Sequence, residues 1–205
     1  MSTIQTSTMR SILEMWRRAG RATASLIEDR RGIAATEFAF ILPIMLVLFF
    51  GTVEISSGVA VDRKVTLMAR TLSDLTSQTR SVANGDLTNF LELSTAIMTP
   101  YSGTPVQATI SELYVDPNTL QARVEWSQGA VPRTISSPVS IPTALAVGGT
   151  YLIFSEVSYL YVPAVGYVMA KAGITLHDVA YARPRQSLCV FYPTTSPLPT
   201  NCPTS

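Results

Sequence analysis

The residues of this chain whose types and spacing could do chemistry lie near its start, in Arg30-Arg31-Gly32-Ile33-Ala34-Ala35-Thr36-Glu37-Phe38. Glu37 is the only charge between Ile33 and Val53, a stretch otherwise built from Ile, Leu, Val, Phe, Met, Ala and a few small residues. A carboxylate inside an apolar helix costs up to about 3 kcal/mol at the centre of a bilayer, and less near its interface. It needs a route to the headgroups or a positive partner. The chemistry on offer is therefore charge pairing in a low-dielectric setting, beside a basic pair.

Other chemistry finds little support. There is no Gly-x-Ser-x-Gly, no phosphate-cradling glycine loop and no His-Glu-x-x-His, and the carboxylates are scattered along the chain. The chain is accordingly expected not to be an enzyme and to carry no cofactor and no metal. The sole histidine, His177, falls in a predicted strand with only Asp178 as an acidic neighbour, so it reads as structural or exposed. Cys189 and Cys202 are the only cysteines, both in a Pro/Thr-rich tail. In an exported domain they are expected to bond, closing a loop of about a dozen residues worth about 3 kcal/mol in the chain-entropy model. Two soft ligands are too few for a metal. A net charge of +1 leaves no nucleic-acid footprint.

These residues need an element to hold them. At 1.5 Å per residue, a helix over 33–53 is about 30 Å long, enough to cross the hydrocarbon core, and Pro43 and Gly51 are tolerated there. The preceding residues carry Arg10, Arg17, Arg18, Arg21, Arg30 and Arg31 but no Lys, which places them in the cytoplasm. Ile12, Trp16, Leu26 and Ile27 would suit a short interfacial helix, and a structureless tail fits equally well. Arg63 and Lys64 on the far side weaken the orientation without reversing it. Gly58-Val59-Ala60 offers a rival secretory cleavage site. Against it, Val61, Val65, Met68, Leu72 and Leu75 continue as an apolar helical stripe beyond the supposed cut. One helix from about Ile33 to about Arg80 is predicted, half in the membrane and half outside.

Asn84-Gly85-Asp86 should break that helix, and Asp86 or Thr88 should cap a second with Leu87, Phe90, Leu91 and Ile97 on its apolar face. The period then changes to that of strands. Ala108–Val115 and Leu120–Ser127 read as a hairpin about Asp116-Pro117-Asn118, with Leu120, Ala122, Val124 and Trp126 on one buried face. Trp126 reads as a core residue rather than a ligand platform. Residues 128–149 read as loop with one helical turn near Thr143–Ala146. Thr150–Val162 is the strongest strand and Thr175–Ala182 the last, stopped by Pro184. Arg183 and Arg185 read as charges that blunt a sheet edge, with an anionic partner as the alternative.

The basic pair, Gly32, the small spacer and Glu37-Phe38 opening an apolar helix resemble a type IV prepilin processing site. Their form is most similar to the TadE-like minor pseudopilins of tight-adherence (Tad/Flp) pilus systems. Val115-Asp116 leading to Val124-Glu125-Trp126-Ser127, Glu156-Val157-Ser158-Tyr159-x-Tyr161-x-Pro163 and Arg183-Pro184-Arg185 extend the resemblance, with gaps, to Arg185. It implies that a prepilin peptidase cuts after Gly32, leaving Ile33 as the new N-terminus. Glu37 would then pair with the free α-amino group of a neighbouring subunit, with Phe38 beside it in the subunit contact.

The fold class expected is α+β: a single N-terminal transmembrane helix continuing as a long amphipathic helix, packed on an antiparallel sheet of about four strands. The boundaries are a cytoplasmic leader at 1–32, a transmembrane helix at 33–53 and an exported pilin-like domain at 54–205. The expected function is that of a minor pseudopilin in the bacterial inner membrane, with its C-terminal domain periplasmic or carried into a surface pilus. Its partners would be the prepilin peptidase, other pilin and pseudopilin subunits, the inner-membrane assembly platform and the lipid bilayer. Two alternatives remain, an uncleaved signal-anchored scaffolding or binding protein and a secreted binding domain cut after Ala60.

Overall fold

The computed structural model describes residues 31–163 and 173–192. Its elements run α1 (Arg31–Ser77), α2 (Asn84–Ala96), β1 (Val106–Val115), β2 (Ala122–Gly129), β3 (Pro138–Val139), a 3-10 turn (Thr143–Leu145), β4 (Tyr151–Tyr161) and β5 (Ile174–Ala182). The chain divides into two units, Met1–Thr52 and Val53–Ser205.

In the first unit the described residues are the apolar stretch of α1. Phe40, Val47, Leu48 and Phe49 are all more than 60% exposed, so no other described part of the protein covers them. Thr36 donates its hydroxyl to Ile33 O and Thr52 to Leu48 O, both at 2.8 Å. Such back-bonding lets a threonine sit in a helix without needing water. Among the described residues α1 is the one helix long and apolar enough to cross a membrane.

In the second unit the stripe read from the sequence, except the partly exposed Leu75, is buried in the core. Val61, Val65, Met68 and Leu72 have no exposed surface and pack with Ile110, Trp126, Ile153 and Val157 of the sheet. Each such side chain contributes about 1.5–3 kcal/mol through burial. The hydroxyl of Ser155 donates to Ala69 O at 2.6 Å, a buried bond between β4 and α1. α1 continues without a break through Gly58-Val59-Ala60 into this core.

α1 ends at Ser77, and Asn84-Gly85-Asp86 opens the second helix instead of breaking the first. The reason is capping: the Asp86 carboxylate accepts the Ala83 N–H at 2.9 Å, which starts α2 there. At its other end Lys64 donates to Ile97 O and Thr99 O at 2.7 and 2.8 Å. Lys64 thus satisfies orphan carbonyls beyond α2.

The sheet is antiparallel with the order β3-β2-β1-β4-β5. It has five strands instead of four because Pro138–Val139 pairs briefly with β2, against Ala122 and Arg123. Two expectations about β2 need correcting. Leu120 is not in the strand. It takes a left-handed conformation (φ 55°) at the end of a turn in which the Asp116 carboxylate accepts the N–H groups of Asn118 and Thr119, and its side chain is half exposed. Nor do Ala122, Val124 and Trp126 share a face. Glu112 pairs with Trp126 and Leu113 with Val124, so Glu125 is the extra residue of a bulge. The bulge turns Trp126 towards α1, while Ala122 and Val124 join Leu113, Val115, Leu152 and Phe154 in a second core on the opposite face. Ile141 and Leu145 from the 130–149 connection pack on that second core.

β5 is one of the sheet's two outer strands. Beyond it Arg183 is exposed, but Arg185 does more than blunt an edge. Its N–H donates to Ser77 O at 2.8 Å and its guanidinium pairs with Asp74, tying the segment to the end of α1.

Candidate functional site

Gly32, Ile33, Glu37 and Phe38 all lie in the first two turns of α1. Four residues apart, Ile33 and Glu37 share one face of the helix. Ile33 and Phe38 are 58% and 59% exposed, and Glu37 is exposed as well. Neither ion pair among the described residues involves Glu37. A side chain added at Gly32 would meet no other described part of the protein within 4 Å beyond its own stretch of helix. The arrangement is an exposed carboxylate on an exposed apolar helix, one turn after the exposed Gly32 and Ile33.

Cys189 lies in the other unit and is buried at 2% exposure, whereas Cys202 and the leader through Arg30 are outside the described residues. His177 is exposed on β5, across the sheet from Ser158. It borders a cleft of about 360 Å³ with Thr109, Arg133 and Glu156. Within that cleft Arg133 and Glu156 form a two-pronged ion pair at 2.5 and 2.6 Å, and the guanidinium lies 5.5 Å from the centre of the Phe154 ring. Each partner of the pair offsets the other's charge. No group of three or more His, Cys, Asp or Glu among the described residues could hold a metal.

The most unusual polar group was missed by sequence reasoning. Glu112 on β1 is 1% exposed and faces α1. One carboxyl oxygen accepts the Val190 N–H at 2.6 Å and the other the indole N–H of Trp126 at 2.9 Å. The same indole N–H also donates to Val190 O at 2.9 Å. Burial pushes the Glu112 carboxyl up to about 8, against the opposing pull of the two N–H donors. The signal was available: Ala108 and Ile110 set the inward phase of β1, and Glu112 continues it. Trp126 is indeed a core residue, stacked on Tyr192 with ring centres 5.3 Å apart, while the Tyr192 hydroxyl bonds Asn84 at the start of α2. Together these contacts fasten residues 189–192 across the end of the domain.

No curated protein and no solved structure matches the chain. The family model described as TadE-like protein matches residues 32–72, from Gly32 through the apolar helix to the buried Leu72, and over that helix the chain is similar to TadE-like proteins.

Proposed function

We propose that this protein is a minor pseudopilin of a tight-adherence pilus system, a structural component and not an enzyme. A prepilin peptidase would remove residues 1–32 at the cytoplasmic face of the inner membrane. The new subunit would then assemble with other pilin and pseudopilin subunits, on the inner-membrane platform, through its apolar helix. The observation that carries the reading is the single carboxylate, Glu37, standing exposed on an otherwise apolar helix one turn after the Gly32–Ile33 bond. The similarity to TadE-like proteins over residues 32–72 supports involvement in the Tad pilus system.

Sequencing the mature N-terminus tests it. Ile33 is expected at that position in the wild-type protein. Gly32→Phe should block the cut and leave a full-length, membrane-retained chain. Because a side chain at Gly32 meets nothing within 4 Å, failure to cleave would reflect the peptidase's need for a small residue and not misfolding. A wild-type N-terminus at Met1 or at Val61 would overturn the reading, the first in favour of an uncleaved anchored scaffold and the second in favour of a secreted domain.

The proposal extends to the tail. Cys189 and Cys202 are expected to be bonded in a periplasmic domain. Intact-mass measurement under nonreducing conditions should find two hydrogens fewer than the reduced chain carries, and alkylation of both thiols without prior reduction would contradict the bond.

A further inference from the structure

We propose that the end of the sheet nearest Val53 is a membrane-docking surface, where the ends of β4 and β5 and the adjoining turns of α1 dip into the bilayer's headgroup layer. The inference rests on the bilayer reading of residues 33–53 and not on cleavage at Gly32. Helical rise gives the depth. Residues 54–62 follow directly on the apolar run and extend at most about 15 Å beyond Val53 along α1. The headgroup layer is about 6 Å thick on each side of the hydrocarbon. The first turn or two after Val53 therefore lie within it or just above it.

At this level the domain carries an apolar cleft of about 420 Å³, lined by Ile55, Gly58 and Val59 of α1 and by Tyr161, Ile174 and Leu176 of the sheet. Ile55, Val59 and Ile174 are 71%, 49% and 56% exposed. Apolar exposure is not confined to the cleft. Tyr161 pairs with Ile174 on the side facing α1, whereas Leu160 pairs with Thr175, so Leu160 points to the opposite face, where it is 47% exposed. A docked protein helix would cover one face only; a lipid phase surrounds the strand ends. Tyr161 donates its hydroxyl to Glu54 at 3.2 Å, an apolar ring with a wet tip of the kind enriched at membrane interfaces. Glu54 and Asp62 are the charged residues lining the cleft, so the docking rests on its apolar surface, and zwitterionic lipid suffices.

Tryptophan reporters in the full chain, reconstituted into phosphatidylcholine vesicles brominated high on the acyl chains, test this. Leu160→Trp and Ile174→Trp place one reporter on each face of the strand ends, at half-exposed strand positions that accept an aromatic. Both should lose about half of their added emission, above the shared background of Trp16 and Trp126, as expected at a depth of about 5–10 Å in the headgroup–acyl boundary. Leu188→Trp, 72% exposed and close to Arg185 at the far end of α1, should be unquenched. Val47→Trp reports the span itself. Quenching of Val47→Trp without quenching of both strand-end reporters overturns the docking surface and leaves the span intact. Silence at both strand-end reporters and at Val47→Trp overturns the bilayer reading and the docking surface together.

Discussion

Replacing Glu37 by Ala should leave the protein processed and held in the inner membrane at wild-type level, yet lower pilus assembly by about two to four orders of magnitude. The figure follows from the cost of breaking a desolvated charge pair on one side, about 3–5 kcal/mol, at 1.4 kcal/mol per tenfold. In the proposed filament the Glu37 carboxylate offsets the α-ammonium created at Ile33 of a neighbouring subunit. Its loss strands that cation in apolar surroundings. The fold should not suffer, because Glu37 is exposed on α1, forms no ion pair among the described residues, and gives way to the best helix former. Glu37→Asp should rescue only in part, since a shorter side chain lengthens the contact. Glu37→Gln keeps the hydrogen bond without the charge and should fail nearly as badly as Ala. Pilus counts by electron microscopy, read beside immunoblots of the processed subunit, make the measurement. Unchanged piliation in Glu37→Ala would favour the lone anchor, in which removing a membrane-embedded carboxylate is harmless or mildly favourable.

Glu112 should govern both the stability of the exported domain and its dependence on pH. Truncation to Ala leaves the Val190 N–H without its acceptor and opens a cavity beside Trp126, a loss of about 3 kcal/mol. For a chain of this size that lowers the unfolding midpoint by about 6–12 °C. The pH effect has a definite sign. Folding raises the Glu112 carboxyl from its ordinary value near 4.5 to about 8, so between those values the folded state binds more protons than the unfolded state. Stability therefore falls as pH rises through that window, by at most about 1.4 kcal/mol per pH unit, and levels off above it. Glu125, half-buried and raised by desolvation, adds a weaker slope of the same sign. Glu112→Gln should remove most of the slope, and thermal unfolding of the detergent-solubilised chain across this pH range reads it directly. A wild-type midpoint that rises from pH 5 to pH 8 would contradict the assignment. Residues 189–192 should loosen first, because Val190 is held through both its N–H and its carbonyl by the Glu112–Trp126 pair.

How much of this was legible in the chain depends on the range over which each cause acts. The span, the Gly32–Glu37 spacing and the extension of α1 past Val53 are properties of one helix, written in local periodicity, and the stripe Val61, Val65, Met68, Leu72 is the buried face it implied. β4 and β5 were readable for the same reason, since β-branched and aromatic runs bounded by breakers need no partner to be recognised. Where a side chain's fate depends on a neighbour distant in sequence, the pattern was silent. The bulge at Glu125 arises only when β2 is laid against β1, and it sends Trp126 to one core and Val124 to the other despite their even spacing. Asn84 opens a helix because of where Asp86 finds a donor, and Arg185 is taken from the sheet edge by Asp74, more than a hundred residues earlier. Glu112 is the sharpest case. Alternation alone placed a carboxyl on the inward phase of a central strand. Only the meeting of β1, Trp126 and Val190 supplies the two N–H groups that let it stay there, because a buried acceptor is tolerated only where the fold delivers its donors.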